Sequence, residues 1–281
     1  MTLTKTKLLP IAAQVLLFAF SILMLYPVLW MVFSSFKDNS EIFAKSFSLF
    51  PTEWKFGNYA AGWKGFGSYT FATFFKNSFI VVLIYTVGAV LSSAFIAYGF
   101  ARMEFAGKKF WFACMIATLM LPQEVIMVPQ YIVFQWLGWV NTFLPLTVPS
   151  FFGIPFFIFM LVQFMRSIPA ELDNAAKIDG CNSFMIFYRI ILPLTLPGLM
   201  TAAIFAFYWH WQDFIGPLLY LSRPDLYTVS LALKMFSDPD TSSNWGGMIA
   251  MSVLSLVPVI VIFFCFQRYI VEGITAGGVK G

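Results

Sequence analysis

The 281-residue sequence predicts an all-α polytopic membrane protein with six transmembrane helices. Three observations carry that prediction. A mean hydropathy of +0.81 and a charged fraction of 11% cannot cover a water-facing surface, for which about a quarter of the residues are charged. Crossing about 30 Å of hydrocarbon takes roughly 20 apolar residues in a helix that bonds every backbone group internally, and such runs recur along the chain. The basic residues, finally, divide unequally between the loops on the two sides. The net charge of +4 is spread thinly and forms no patch for nucleic acid.

The predicted spans run from Leu9 to Phe33, Phe74 to Phe100, Phe110 to Phe134, Leu144 to Phe164, Leu194 to Leu221 and Met248 to Phe266. Pro122 and Pro129 break the third, and Pro145, Pro149 and Pro155 lie in the fourth. Lys5 and Lys7 precede an apolar run as in a signal peptide, but the run is long and has no small-x-small cleavage site, so a retained helix is expected. Orientation follows from the bases near helix ends. One side holds Lys5, Lys7, Arg102, Lys108, Lys109, Arg166, Lys177, Arg189, Arg268 and Lys280; the other holds Lys37, Lys45, Lys55, Lys64, Lys76, Arg223 and Lys234, mostly in one long segment where the rule is weaker. Both termini are therefore expected in the cytoplasm.

The chemistry that is missing narrows the function. The sequence has no G-x-x-x-x-G-K-[ST] phosphate loop, no H-E-x-x-H and one histidine, His210, so no ATP hydrolysis is expected of this chain by itself. Cys114, Cys181 and Cys265 are widely separated and suggest neither a disulfide nor a metal site. No internal repeat stands out, which disfavours inverted-repeat secondary transporters.

A polar insert, residues 166–193, interrupts the apolar chain on the predicted cytoplasmic side. Ser167 is a candidate cap, Pro169 suits a first turn, and Glu171 and Asp173 suit the positive end of a helix dipole. The expected helix, Pro169 to Asp179, is about 16 Å long and too short to span. Gly180 supplies a left-handed stop, and Asn182-Ser183 can cap a second short helix. Ala175 and Ala176 leave a stretch with little side chain, which permits close approach by another protein.

The spacing of Ala175-Ala176, Gly180, Ile190, Leu192 and Pro193 resembles the E-A-A signature of membrane subunits of ATP-binding-cassette importers, with Asn174 where the family's usual glutamate stands. Other segments are similar to the shorter permease of maltose-, glycerol-3-phosphate- and oligosaccharide-type systems: Tyr26-Pro27-x-x-Trp30-Met31, Ser35-Phe36-Lys37, Asn58-Tyr59, Asn77-Ser78, Ala97-Tyr98-Gly99-Phe100-Ala101-Arg102, Leu121-Pro122, Trp211-x-Asp213-x-x-x-Pro217-Leu218, and the tail from Val271 to Lys280.

The resemblance implies a type I importer permease in a bacterial or archaeal cell membrane. It pairs with a second homologous permease subunit; two cytoplasmic ATP-binding subunits carry the ATP and Mg, and an extracytoplasmic solute-binding protein delivers the solute. This chain would bind no cofactor of its own. Residues 1–72 would form the first helix and a long extracytoplasmic segment, 73–267 the core transmembrane domain, and 268–281 a cytoplasmic tail. Glu171, Asp173, Asn174, Ala175, Ala176, Gly180, Ile190, Leu192 and Pro193 would couple to the ATPase. The glycine-rich tail from Glu272 would be flexible and reach between the ATPases. The loop from Arg223 to Trp245 resembles a scoop entering the binding protein, with packing against the helix ends as the alternative.

Glu124 and Asp213 are the only acids deep in the predicted spans, and a charge in hydrocarbon faces a cavity or a partner by default. A straight helix places both roughly 20–28 Å above the cytoplasmic side. With Gln123, Tyr208, Trp209, Trp211 and Gln212 they make an aromatic and amide mixture suited to a polar, uncharged solute. An interfacial aromatic belt is the alternative. A different class of function, an ion-coupled secondary transporter, would use Glu124, His210 and Asp213 as a proton relay.

Overall fold

The computed structural model describes residues 5–44, 48–236 and 244–278, with side chains for 13–44, 48–236 and 244–269. Its helices are α1 (Lys5–Ser34), α2 (Asn39–Ala44), α3 (Gly57–Trp63), α4 (Phe71–Arg102), α5 (Lys108–Thr118), α6 (Gln123–Trp136), α7 (Leu144–Thr147), α8 (Pro155–Ser167), α9 (Glu171–Ile178), α10 (Ser183–Ile186), α11 (Leu192–Leu194), α12 (Leu196–Trp211), α13 (Ile215–Tyr220), α14 (Val229–Met235) and α15 (Trp245–Gly278). Among the described residues, four stretches are long and apolar enough to cross a membrane singly: Ala13–Ser34, Phe71–Arg102, Leu144–Ser167 and Trp245–Tyr269. Two more do so as bent pairs, which brings the number to as many as six.

The bent pairs correct the picture of straight spans. α5 and α6 meet at 98° across residues 119–122. Pro122 is extended there, with ψ 136°, and proline also biases Leu121 away from the helical region. The run Ser183–Leu194 meets α12 at 74°. A π-helical turn over Phe187–Ile191 leads into that bend, where Pro193 and Pro197 each remove a backbone donor. At the corner, the buried Thr195 hydroxyl donates to Ile191 O at 2.6 Å. A rise of 1.5 Å per residue therefore does not carry Glu124 or Asp213 to the heights a straight helix would give.

The chain groups into two compact units, Met1–Phe71 with Leu233–Leu256 and Ala72–Ala232 with Val257–Gly281. In the first, two motifs whose contacting residues lie 21 to 24 positions apart in sequence meet. The Asn58 amide donates to Ser35 O at 2.9 Å and to Lys37 O at 2.8 Å. The Tyr59 and Ser35 hydroxyls are hydrogen-bonded at 2.9 Å. Lys37 is fully buried and its ammonium donates to Ser48 O. Burial holds that amine below the usual lysine range, with Glu41 opposing the shift.

In the second unit α4 is the member to which the others are tied. A Cβ on Gly88 would lie 2.4 Å from Ser150 Oγ, so only glycine admits this close approach. Nearby, the Ser92 hydroxyl donates to Ser150 O at 2.8 Å, and Ser93 Oγ accepts from Ile154 N at 3.0 Å. Toward the start of α4, the Asn77 amide donates to Asp225 O at 2.8 Å and Tyr227 O at 3.0 Å, while Ser78 Oγ accepts from Val229 N at 2.8 Å. The first part of the loop expected from Arg223 to Trp245 is thus pinned to α4, and part of it forms α14; residues 237–243 of that loop lie outside the described residues. In side-chain terms the tail from Glu272 also lies outside them, while its backbone continues α15 through Gly278.

Candidate functional site: the polar insert and the polar groups of the spans

Within the insert, α9 starts at Glu171, so Pro169 precedes the helix. Ser167 caps nothing: its hydroxyl turns back to Phe164 O at 2.7 Å as α8 ends. Gly180 has φ +81° and ends α9 as a left-handed stop. Asn182 then caps α10, its Oδ1 accepting from Met185 N at 2.9 Å.

The insert has an inner and an outer face. Ala176 is buried among Ala94, Ala97, Leu161 and Met165, so of the alanine pair only Ala175 is open to approach. Asp173, expected to face a partner, instead points inward and pairs with Arg102 at 3.5 Å, where both side chains are nearly inaccessible. Arg102 also donates to Met165 O at 2.7 Å and Ile168 O at 2.6 Å. Tyr98 adds a hydrogen bond to Ser183 O at 3.0 Å. Three polar contacts from the last turns of α4, to Asp173, Ile168 O and Ser183 O, therefore clamp the insert, and a fourth ties Arg102 to the end of α8. Glu171, Asn174, Ala175, Lys177 and Gly180 are exposed on the other face, beside Ile178 at 88% exposure. Ile190 and Leu192 are half-buried and Pro193 is exposed at the return into the fifth span.

Arg102 and Tyr98 stand outside the residues predicted for the insert. The available signal was an arginine at a span end, where a charge needs a partner, and two acids in the nearby insert. Which acid would turn inward required the helical phase of α9.

The polar groups of the spans are not gathered into one cluster. Gln123 and Glu124 sit exposed in the first turn of α6. Asp213 lies beyond the end of α12, half-buried, its Oδ1 accepting from Gly216 N at 3.1 Å and its carbonyl accepting from the Ser230 hydroxyl. Trp211 is buried: its ring stacks on Phe207 at 5.5 Å and packs against Phe75 and Phe79. It serves the core, against the expectation that it lines a path. Tyr208, Trp209 and Gln212 remain exposed, Trp209 stacking on Phe157 at 5.6 Å. His210 lies flat on Tyr85 with ring centroids 3.4 Å apart, and its Nε2 is 3.1 Å from Leu146 O. Cys114, Cys181 and Cys265 are free.

Residues 89–276 match the model of the family described as "Binding-protein-dependent transport system inner membrane component". The chain is 39% identical to the probable ABC transporter permease protein YurM of Bacillus subtilis, over 95% of this chain and 87% of that one. It is 32% identical to the arabinooligosaccharides transport system permease protein AraQ of Halalkalibacterium halodurans, over 99% and 100%. With the diacetylchitobiose uptake system permease protein NgcG of Streptomyces coelicolor the identity is 33%, over 94% and 87%. The fold is similar to a chain in the crystal structure of a bacterial ABC transporter involved in the import of the acidic polysaccharide alginate, with TM-score 0.77 and 20% identity over 94% of this chain and 96% of that one. Apolar spans, a clamped polar insert and these likenesses together show that the chain belongs to the binding-protein-dependent transport system inner membrane component family, as a multi-pass permease of an ATP-binding-cassette importer.

Proposed function

We propose that this chain forms half of the translocation path of an ATP-driven importer for a sugar or oligosaccharide, and that its insert couples the path to a cytoplasmic ATPase. The relatives named for arabinooligosaccharides and diacetylchitobiose support the substrate class. The observation that carries the coupling is the two-faced insert. Its inner face is bonded to α4 by Arg102 and Tyr98, and its outer face leaves Glu171, Asn174, Ala175, Lys177 and Ile178 exposed. A short element fixed at its base moves as one body with the helix that holds it, which is what transmission between subunits requires. Asn174 then meets the ATPase as an uncharged amide, with Glu171 as the exposed acid beside it.

In this reading both termini and the insert lie in the cytoplasm, a second permease completes the path, and a solute-binding protein docks on the far side. ATP and Mg belong to the partner ATPases. Tyr208, Trp209 and Gln212 line the path, where exposed aromatic faces and an amide suit sugar rings; Asp213, Gln123 and Glu124 supply further acceptors.

The test is reconstitution in liposomes of the four kinds of subunit. Oligosaccharide uptake is expected to need ATP and to stop when the second permease or the binding protein is omitted. Uptake by this chain alone under a pH gradient would restore the proton-relay reading with Glu124, His210 and Asp213.

A further inference from the structure

A cleft of about 660 Å3 opens between the last turn of α4 and the first turn of α5, lined by Phe100, Glu104, Lys108, Lys109, Phe112 and Arg166 among others. We propose that this cleft binds the headgroup phosphate of an anionic glycerophospholipid, with the acyl chains lying along the apolar surface of α5. Arg166 opens the insert, but none of the residues assigned to ATPase coupling, Glu171 to Pro193, takes part, so the inference stands apart from the coupling proposal.

The first support is an unbalanced helix end. α5 starts after Gly107, which has φ +77°; no side chain caps it and its first turn holds no acid. Instead Lys108 and Lys109 occupy that turn. The positive end of the dipole favours an anion here, and two lysines are the opposite of the usual choice. A bound phosphate would complement both the helix end and Lys109.

Next comes the charge left uncompensated in the cleft. Lys108 is engaged by Glu104 at 2.9 Å and donates to Met103 O at 2.7 Å. Lys109 and Arg166 are exposed, and among the described residues neither has a carboxylate within ion-pair distance. Arg166 is positioned by its guanidinium over the Phe112 ring, 5.5 Å from the centroid. The walls therefore offer two cations beyond the neutralised Lys108–Glu104 pair.

Apolar surroundings distinguish a lipid from a free anion. Phe110 and Trp111, at 63% and 57% exposure, stand beside the lysines where a span begins. Aromatic and basic residues together at a span end fit the headgroup layer of a bilayer. Inorganic phosphate would use only the cations and leave the apolar walls unpartnered.

The experiment uses the assembled transporter, extracted from bilayers of equal parts phosphatidylglycerol and phosphatidylcholine, with bound lipid read by native mass spectrometry. The wild type is expected to retain phosphatidylglycerol. Lys109→Gln and Arg166→Gln should each lower retention about fivefold, the effect of one basic group near an anionic headgroup. Arg166→Lys should retain the lipid, and Lys76→Gln, which removes an equal charge at the other end of α4, should change nothing. If Arg166→Gln fails to assemble, Lys109→Gln, at an exposed side chain, decides alone. Undiminished retention in the Lys109→Gln variant overturns the proposal. So does displacement of the lipid by inorganic phosphate, which would mark a site for a free anion. Absence of phosphatidylglycerol from the wild type, as when another subunit fills the cleft, overturns it as well.

Discussion

The insert over residues 166–193 and the break at residues 119–122 are both irregular, proline-bearing interruptions of an apolar chain, yet they are held in different ways. Side chains far away in sequence fix the insert: Arg102 and Tyr98 reach residues 63 to 85 positions along the chain. Among the described residues the break has short-range backbone bonds, Leu119 N to Ile116 O, Met120 N to Ala117 O, Leu121 N to Thr118 O and Val125 N to Pro122 O, each 3.0–3.2 Å. Met120 is 83% exposed and Leu121 56%. The difference teaches what gives an irregular segment a fixed place. Local turns set a direction, whereas bonds from a separate helix set a position, and only a positioned segment can pass on force.

Breaking the clamp should have the largest effect. Asp173→Ala leaves the Arg102 guanidinium buried without its carboxylate, a change that costs about 3–5 kcal/mol. Hydrogen exchange over residues 171–183 should rise accordingly, and uptake should fall with ATP hydrolysis retained. Arg102→Met combined with Asp173→Leu should recover much of the protection, because no buried charge then remains. Unchanged exchange in Asp173→Ala would show that the clamp does not hold the insert.

Asn77→Ala tests the same principle at the other end of α4. Loss of two bonds to the carbonyls of Asp225 and Tyr227 should cost about 1–3 kcal/mol, read as increased proteolysis after Arg223. Gly180→Val acts by strain alone, since open space surrounds the position a Cβ would take. Forcing a β-branched residue to φ +81° should cost about 1–2 kcal/mol and uncouple ATP turnover from uptake without loss of membrane insertion. Thr195→Val removes one buried hydroxyl bond at the fifth-span corner and should cost about 1 kcal/mol in thermal unfolding of the complex. Smallest of all, Pro122→Ala should leave the stability read by thermal unfolding within about 0.5 kcal/mol of wild type, because the break is exposed and, among the described residues, bonded locally. A larger shift would mean that the break is positioned after all.

Much of the insert was legible in the chain because capping and stop residues act locally: Gly180 and Asn182 do what their types predict. Asp173 and Trp211 lie inward, against expectation, for one shared reason. Their residue types suit a partner or a sugar, but helical phase turns both inward, and which phase faces the core is visible only once the packing surface is known. Prolines marked the breaks, though the 98° and 74° angles depend on what each half packs against.

The sequence by itself determined the membrane class, the approximate spans, the polar insert and its stop, since hydropathy, loop charge and turn chemistry are properties of neighbours along the chain. Tertiary structure alone decided which motifs meet: Ser35 and Lys37 with Asn58, Asn77 with Tyr227, Arg102 with Asp173. Each of those pairs is separated by between 21 and 150 residues. A hydrogen bond or ion pair at that range exists only when folded helices bring its two ends within about 3–4 Å.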